Sequence, residues 1–460
     1  MTTTSSPLSP HAEALSGLCG GAVHFPGDPG YDAARLPWNV AVDQRPAAVA
    51  VPRTVDDVVA VVRGATSAGL RVAPQSTGHG AAPLPEHGLA DVVLVRLHDL
   101  NGVTVDVEGR SARVVGGTLW RDVVAATAPH GLTALHGSSP DVAVAGYVLG
   151  GGLSFYSRQH GLATNSITAL EVVLSDGSLV RASSGENPDL FWALRGGGGN
   201  LGIVVALEFD LLPVPDVYAG MLLWDLGHAP QVLRTWRDLT RTAPDTVTTS
   251  LRLMSFPPLP ELPPFLSGRR LVVVDGAVLE DDETAAALLT PLRALAPEID
   301  TFGRMPVAGL LDVHMDPPGP TPAVSDHAVL HSLDDEAVDA LLSAAGPDSA
   351  SPLLFAELRH LGGALSRPAA GAGALATLPG EYSLFCVAVA PVPEAVVAGQ
   401  AAAAEVVQAL APWSMSAKLL NFAEAAVDTS SGFEAEAWAR LVAVRNELDP
   451  HRTMVAAHPI

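Results

Sequence analysis

Lysine is almost missing from this chain. Lys418 is the single lysine in 460 residues, which excludes the Gly-x-x-x-x-Gly-Lys-Ser/Thr loop that cradles nucleotide phosphates. No Gly-x-Gly-x-x-Gly run stands between an early strand and a helix, so the dinucleotide fingerprint is absent as well. Cysteine is scarce: Cys19 and Cys386 lie far apart and make no disulfide framework. No uninterrupted apolar run reaches the roughly 18 residues that a membrane-spanning helix needs. Met1 to Pro10 has neither the positive charge nor the apolar stretch of a signal peptide. These absences together predict a soluble, cytoplasmic protein. Positive charge is also short, with 26 basic against 49 acidic residues and a net charge of −23. The basic residues are scattered, and such a balance repels nucleic-acid backbones and anionic lipid, so neither is expected as a partner. His314, His327 and His360 lack the spacing of converging metal ligands, and no metal is expected.

Glycine, by contrast, is concentrated in three places: Gln75-Ser76-Thr77-Gly78-His79-Gly80, the stretch from Gly137 to Gly152, and Gly196-Gly197-Gly198-Gly199-Asn200. Backbone with few side chains can approach a large cofactor closely, and its free N–H groups suit a diphosphate. A chain of 460 residues exceeds the size at which one core stops growing, so two packed domains are the default. Thr54 reads as the N-cap of a helix carrying Val58, Val59, Val62 and Ala65. Arg71 to Pro74 is a strand that delivers the chain into the Ser76 to Gly80 turn. Further strands are expected at Asp91–Leu97, Val103–Val107, Ser111–Val115, Ile167–Leu174 and Leu179–Ala182, with Asp176-Gly177 as a hairpin turn. Val204 to Leu212 reads as the strand that closes this region, and Pro213 and Pro215 then stop ladder pairing. Beyond them, strands such as Leu271 to Gly276 alternate with alanine-rich helices such as Asp281 to Leu295. Ala364 to Ala376, rich in small residues, is expected to be mobile, and Phe433 to Leu448 reads as an amphipathic helix ended by Asp449-Pro450.

The run Asp189-Leu190-Phe191-Trp192-Ala193-Leu194-Arg195-Gly196-Gly197-Gly198-Gly199-Asn200-Leu201-Gly202-Ile203-Val204 closely resembles a segment of the flavoprotein family of vanillyl-alcohol oxidase and berberine bridge enzyme type. The His79 turn and the Gly137–Gly152 run precede it in the family's order, and Glu357-Leu358-Arg359-His360-Leu361-Gly362-Gly363-Ala364 follows. The resemblance implies an α+β fold: a two-part FAD-binding domain of the PCMH type with an inserted substrate domain built on an antiparallel sheet that covers the isoalloxazine. It divides the chain into an N-terminal segment (1–37), the FAD-binding domain (38–215), the substrate domain (216–414) and a C-terminal segment (415–460) that returns to the FAD domain.

In that family a histidine in the first turn is commonly bonded to the flavin, and the match places His79 there. A histidine that merely hydrogen-bonds within the turn is the other reading. The N–H groups from Ser76 through Thr77, Gly78, His79 and Gly80 to Ala81, with the two hydroxyls, form an expected diphosphate nest. The resemblance also puts Ser139, Pro140, Val142, Gly146, Gly150, Gly151 and Leu153 along the flavin ring. Some members carry a cysteine, linked to the flavin, where this chain has Ser139, so FAD here has at most one covalent link. Val142 falls near the flavin's oxygen-reactive carbon, or is an ordinary core valine. Gly199, Gly202, Ile203 and Val204 match positions that wrap adenine and ribose, which a glycine-rich hairpin entering a buried strand also explains.

Oxidation of an alcohol or amine on flavin needs a base near the reacting carbon. The family's Tyr-x-Asn is Leu419-Leu420-Asn421 here, and its Asn-His-Asn-Ile is Ala457-His458-Pro459-Ile460. Glu357 and Tyr382 are the remaining candidates for the base. The expected function is an FAD-dependent oxidase of a small or medium organic substrate, with dioxygen as acceptor, in natural-product biosynthesis. A non-redox cyclase that keeps FAD as a wall of its pocket is the alternative, and a catalytically silent flavin-binding protein comes third.

Overall fold

The protein is described by a computed structural model covering residues 10–260, 262–317 and 319–460. The reading of Met1 to Pro10 therefore falls almost wholly outside the described residues.

Three sheets organise the chain. In the first, Ala48–Ala50, Val92–Arg96 and Arg71–Gln75 lie side by side and parallel, with Val23–His24 added antiparallel at one edge. Parallel neighbours need a crossover, and the helix Val55–Ser67 supplies it. It starts where the sequence predicts, because the Thr54 hydroxyl accepts from the Asp57 N–H while the Asp57 carboxylate accepts from the Thr54 N–H. Its Val58, Val61, Val62 and Ala65 face the sheet and are fully buried.

The second sheet is antiparallel, in the spatial order Val103–Asp106, Ser111–Val115, Ile203–Asp210, Ile167–Val173, Leu179–Ser183. The strand at 203–210 lies at its centre, paired on both sides, and closes no edge. Its run of Ile, Val, Val, Ala and Leu is buried without alternation, as a strand covered on both faces should be.

The third sheet is antiparallel throughout, and its strands run from Asp216–Asp225 to Tyr382–Val389. One face packs against the helices Ala229–Thr242, Asp282–Arg293, Asp335–Ala345 and Pro393–Ala409, burying Trp236, Leu289, Leu341 and Val406 against Leu251, Val272, Leu358 and Leu384. The other face looks toward the glycine-rich half of the chain. Alternation along the strands decides which residues reach it.

The C-terminal helix Ala435–Leu448 packs on the helix Pro188–Gly197. The chain then turns at the fully buried Asp449, whose carboxylate accepts from the N–H groups of Thr453 and Met454. Val72 and Val455 exchange backbone hydrogen bonds through this tail, so the last residues lie along the outer edge of the first sheet. The segment 364–376, expected to be mobile, is pinned instead: Leu365 and Ala374 are buried, and a β-carbon on Gly196 would lie 2.6 Å from Leu375. Among the described residues no helix is long and apolar enough to cross a membrane.

Candidate active site

The first sheet, the glycine runs and the third sheet enclose a cavity of about 410 Å3. One wall is the turn from Ser76 to Ala81, placed there because Arg71–Gln75 ends at the cavity mouth. Gly78 has φ +88°, and a β-carbon there would meet Pro37 at 2.7 Å, so only glycine makes this bend. Among the described residues, none of the backbone N–H groups of 76–81 donates to a backbone carbonyl outside the regular elements. They form a row of free donors of the kind that holds a diphosphate. The Ser76 hydroxyl, expected to join them, donates instead to the Gly116 carbonyl at 3.1 Å.

His79 is held from several sides. Its ring stacks on Trp38 with centroids 4.2 Å apart, and its Nδ1 lies 2.8 Å from the Thr77 hydroxyl. Its Nε2 is enclosed without a hydrogen-bond partner, 3.4 Å from Asp141 Oδ1. Asp141 is the organising group, accepting from Trp38 Nε1 at 2.7 Å and from the Ser139 hydroxyl at 2.8 Å. Burial alone would raise its carboxyl, but hydrogen bonds from His79, Trp38 and Ser139 outweigh that and hold it well below the usual carboxylate range. Trp38 and Asp141 were not legible in the sequence as site residues. They act on His79 across 41 and 62 intervening positions' worth of chain, through folding alone.

Opposite this wall lie Gly137, Ser139, Val142, Gly146, Gly150 and Leu153, then Gly196 to Asn200. A β-carbon added at Gly80 or Gly146 would meet no protein atom within 4 Å. The space beside these glycines is thus open toward the cavity, which fits a broad flat ring. Tyr147 adds a buried hydroxyl without a partner, and burial keeps it protonated by pushing its pKa far upward. Val142 both lines the cavity and packs on the core beside Trp120.

Five expected residues stand elsewhere. Pro140 only turns the chain, its carbonyl accepting from the Arg121 N–H. Gly202 is required by packing, since a β-carbon would strike Val172 and the Val173 carbonyl at 2.7 Å. Ile203 and Val204 are buried in the central strand of the second sheet and do not line the cavity. Gly151 borders a smaller space behind the wall.

The third sheet roofs the cavity with Arg359 and Phe385. Their partners follow from register. Glu357 pairs with Phe385 and His360 with Tyr382, so Glu357, Arg359, Ser383 and Phe385 share the cavity-side face. Tyr382 is on the other face, where its hydroxyl bonds Thr240 at 2.7 Å and its ring lies 5.6 Å from Trp236. It is a core residue, on the wrong parity of its strand for a base. Glu357 has the right parity but is fully buried behind Arg359, 2.9 Å from its Nε and 3.3 Å from His314 Nε2. Its carboxylate belongs to a charged layer under the roof, where Asp275 binds Arg252 at 2.5 Å and His314 Nδ1 at 2.9 Å.

The carboxylate that does reach the cavity is Glu424, five residues past the position where the resemblance leads one to expect tyrosine. It is half-buried as a whole, yet its Oε2 is enclosed and unpartnered. Burial pushes its carboxyl up to about 7, against a smaller lowering by the Ser325 hydroxyl. Sequence reasoning missed it because an isolated Glu in Asn-Phe-Ala-Glu-Ala-Ala carries no pattern. Among the described residues no group of three or more His, Cys, Asp and Glu is placed to hold a metal.

Residues 46–183 match the family model described as an FAD binding domain. The xylooligosaccharide oxidase of Thermothelomyces thermophilus is 41% identical over 180 residues, 39% of this chain and 36% of that protein. The (R)-6-hydroxynicotine oxidase of Paenarthrobacter nicotinovorans is 35% identical over 205 residues, 44% of each chain. The matched stretches thus span less than half the length of these curated relatives. Among solved structures, Physcomitrella patens BBE-like 1 superposes over 98% of both chains with a TM-score of 0.84 and 21% identity. The 6-hydroxy-D-nicotine oxidase of Arthrobacter nicotinovorans does so over 94% of this chain and 95% of its own, with a TM-score of 0.81 and 23% identity. The free N–H row, the glycine wall and these likenesses agree: the chain carries an FAD-binding domain in residues 46–183 and is built on the fold of the berberine bridge enzyme-like flavoproteins.

Proposed function

We propose that the protein is an FAD-dependent oxidase of a small or medium organic substrate bearing an oxidisable alcohol or amine. The observation that carries this reading is Glu424, a carboxylate on the cavity wall whose burial brings it close to half-protonation at neutral pH. A general base works best when its pKa lies near the operating pH. Bound FAD supplies the chemistry that no side chain can, accepting a hydride from the substrate carbon and passing the electrons to dioxygen. The chain does the rest. The 76–81 turn holds the diphosphate through its free N–H groups, the glycine wall admits the ring, and the roof of Phe385, Phe422 and Arg359 covers the substrate and excludes water. Glu424 takes the substrate's O–H or N–H proton at its free Oε2.

The relatives named above act, by their names, on xylooligosaccharides and on 6-hydroxynicotine. A substrate of that size range, and a setting in natural-product biosynthesis, belong to this proposal. The cyclase alternative drew on the lack of a base at Leu419; Glu424 offers one, which favours the redox reading. Anaerobic mixing with a panel of oligosaccharides and hydroxylated N-heterocycles, followed at the flavin absorbance, is the test. Bleaching by a panel member supports the oxidase, whereas product formed without bleaching sinks it.

Covalent attachment through His79 is part of the same proposal. Its support is the enclosure of the ring between Trp38, Thr77 and Asp141, with one nitrogen left without a hydrogen bond. Denatured wild-type protein is expected to keep its flavin, seen as a fluorescent band on a denaturing gel, and His79→Ala to lose it while still binding FAD in the native state. A wild-type band without fluorescence would show that the histidine only hydrogen-bonds.

A further inference from the structure

Behind the glycine wall lies a second opening, of about 450 Å3, bounded by residues 372–379, by 417–419 and by the start of the C-terminal helix. Between it and the FAD-lined cavity is a narrow space of about 20 Å3. This neck shares Leu375, Leu378 and Leu419 with the outer opening, and Gly150, Asn421 and Phe422 with the inner cavity. The three spaces therefore form one line from the exterior to the glycine wall.

The neck's size and lining decide what can pass. A water molecule needs roughly 10–15 Å3 on the same measure, so the neck takes one very small molecule and no organic substrate. Its walls belong to an apolar cluster of Leu162, Leu378 and Leu419, with Leu375 and Phe422 packed on it. Water held there would need two to four polar partners. The nearby polar groups are already engaged: Asn421 donates to the Tyr147 carbonyl at 3.0 Å, and Lys418 reaches the His327 carbonyl at 3.4 Å. Backbone keeps the inner end open. Gly151 has φ +117°, and a β-carbon there would press on Leu375 at 2.7 Å. A side chain would close the passage, which explains a glycine that does not line the main cavity.

We infer that this passage is the entrance for dioxygen, separate from the route of the organic substrate. The inference rests on the oxidase reading above. Dioxygen takes a hydride equivalent from the reduced cofactor and one proton from solvent, leaves as hydrogen peroxide, and returns the cofactor to its oxidised form. Leu419 matters here because it keeps the neck apolar where the resembled family has a phenol.

The test uses the FAD-loaded protein and needs no substrate. The flavin is photoreduced without oxygen and then mixed with dissolved dioxygen, in wild type, Leu419→Trp and Leu375→Phe. Filling the neck is expected to lower the second-order reoxidation rate about tenfold or more, equal to about 1.4 kcal/mol on the barrier, with the oxidised flavin spectrum unchanged. A second readout is independent of turnover. Xenon-pressurised wild-type crystals should show xenon between Leu162, Leu375 and Leu419, and Leu419→Trp crystals should not. Unchanged reoxidation in both variants, or a neck without xenon in the wild type, overturns the passage while leaving the oxidase reading intact. A wild-type protein whose reduced flavin ignores dioxygen sinks the oxidase reading itself, whatever the xenon shows.

Discussion

Glu424→Gln is expected to slow flavin reduction by substrate about 10²–10⁴-fold, the usual contribution of a positioned general base, while FAD stays bound. The assay is stopped-flow absorbance with whichever panel compound bleaches the wild type. In the wild type the rate should rise with pH and level off above about 7, where Glu424 becomes a carboxylate; the variant should lose that step. Stability separates a functional carboxylate from a structural one. A carboxyl whose folded pKa is raised above its unfolded value costs the native state stability, and that cost is complete above the folded pKa. Gln removes the charge and keeps the shape, so at pH 8 the variant should melt at or above the wild-type temperature. A variant that melts lower and reduces at the wild-type rate would leave Glu424 as a packing residue. The groups on neighbouring elements do not imitate the step: burial pulls His327 down to about 3 and lowers His458.

The largest stability loss is expected at Asp275, under the roof of the cavity. It is fully buried and joins Arg252, His314 and the Ser250 hydroxyl, and Arg252 in turn donates to the His314 carbonyl at 2.7 Å. Asp275→Ala strands Arg252 without its counter-charge, and breaking a buried pair from one side costs about 3–5 kcal/mol. Denaturant unfolding measures it, and a loss under about 1 kcal/mol, as for an exposed pair, would mean that water enters this layer freely. The pH dependence has a definite sign. Burial opposes ionisation of Asp275, but His314 and Arg252 outweigh it and hold its pKa below the usual range. The stability it contributes is therefore present above the unfolded value near 3.9 and is lost as pH falls further. Asp275→Ala should lack that acid-side loss.

His314 links this layer to function, since it touches Glu357 and sits 3.3 Å from Arg359 Nη2. The distinction between Glu357 and Glu424 is one of placement and not of chemistry. Both are carboxylates among apolar neighbours, but Glu357 is matched by a guanidinium and hidden behind it, whereas Glu424 opens on the cavity with one oxygen free. A matched carboxylate holds the roof together. A free one can accept a proton.

Much was legible in the sequence because it is encoded locally. The Thr54 cap, the alternation along Ser111–Val115, the Asp176-Gly177 turn and the prolines at 213 and 215 each act within a few residues, and the elements begin and end beside them. The glycines of the His79 turn and of Gly196–Gly199 announce a backbone built to approach a cofactor, since that need is met by the absence of a side chain. Tertiary structure alone decided the rest. Whether Tyr382 or Phe385 faces the cavity depends on strand register, and a shift of one residue exchanges the two faces. That Asp141 and Trp38 grip His79, that Gly202 serves a strand crossing, and that Leu375 and Leu419 form a neck all depend on pairs far apart in the chain. Glu424 is the sharpest case: its composition is that of any surface glutamate, and only the enclosure of its oxygen by other segments raises its pKa into the working range of a base.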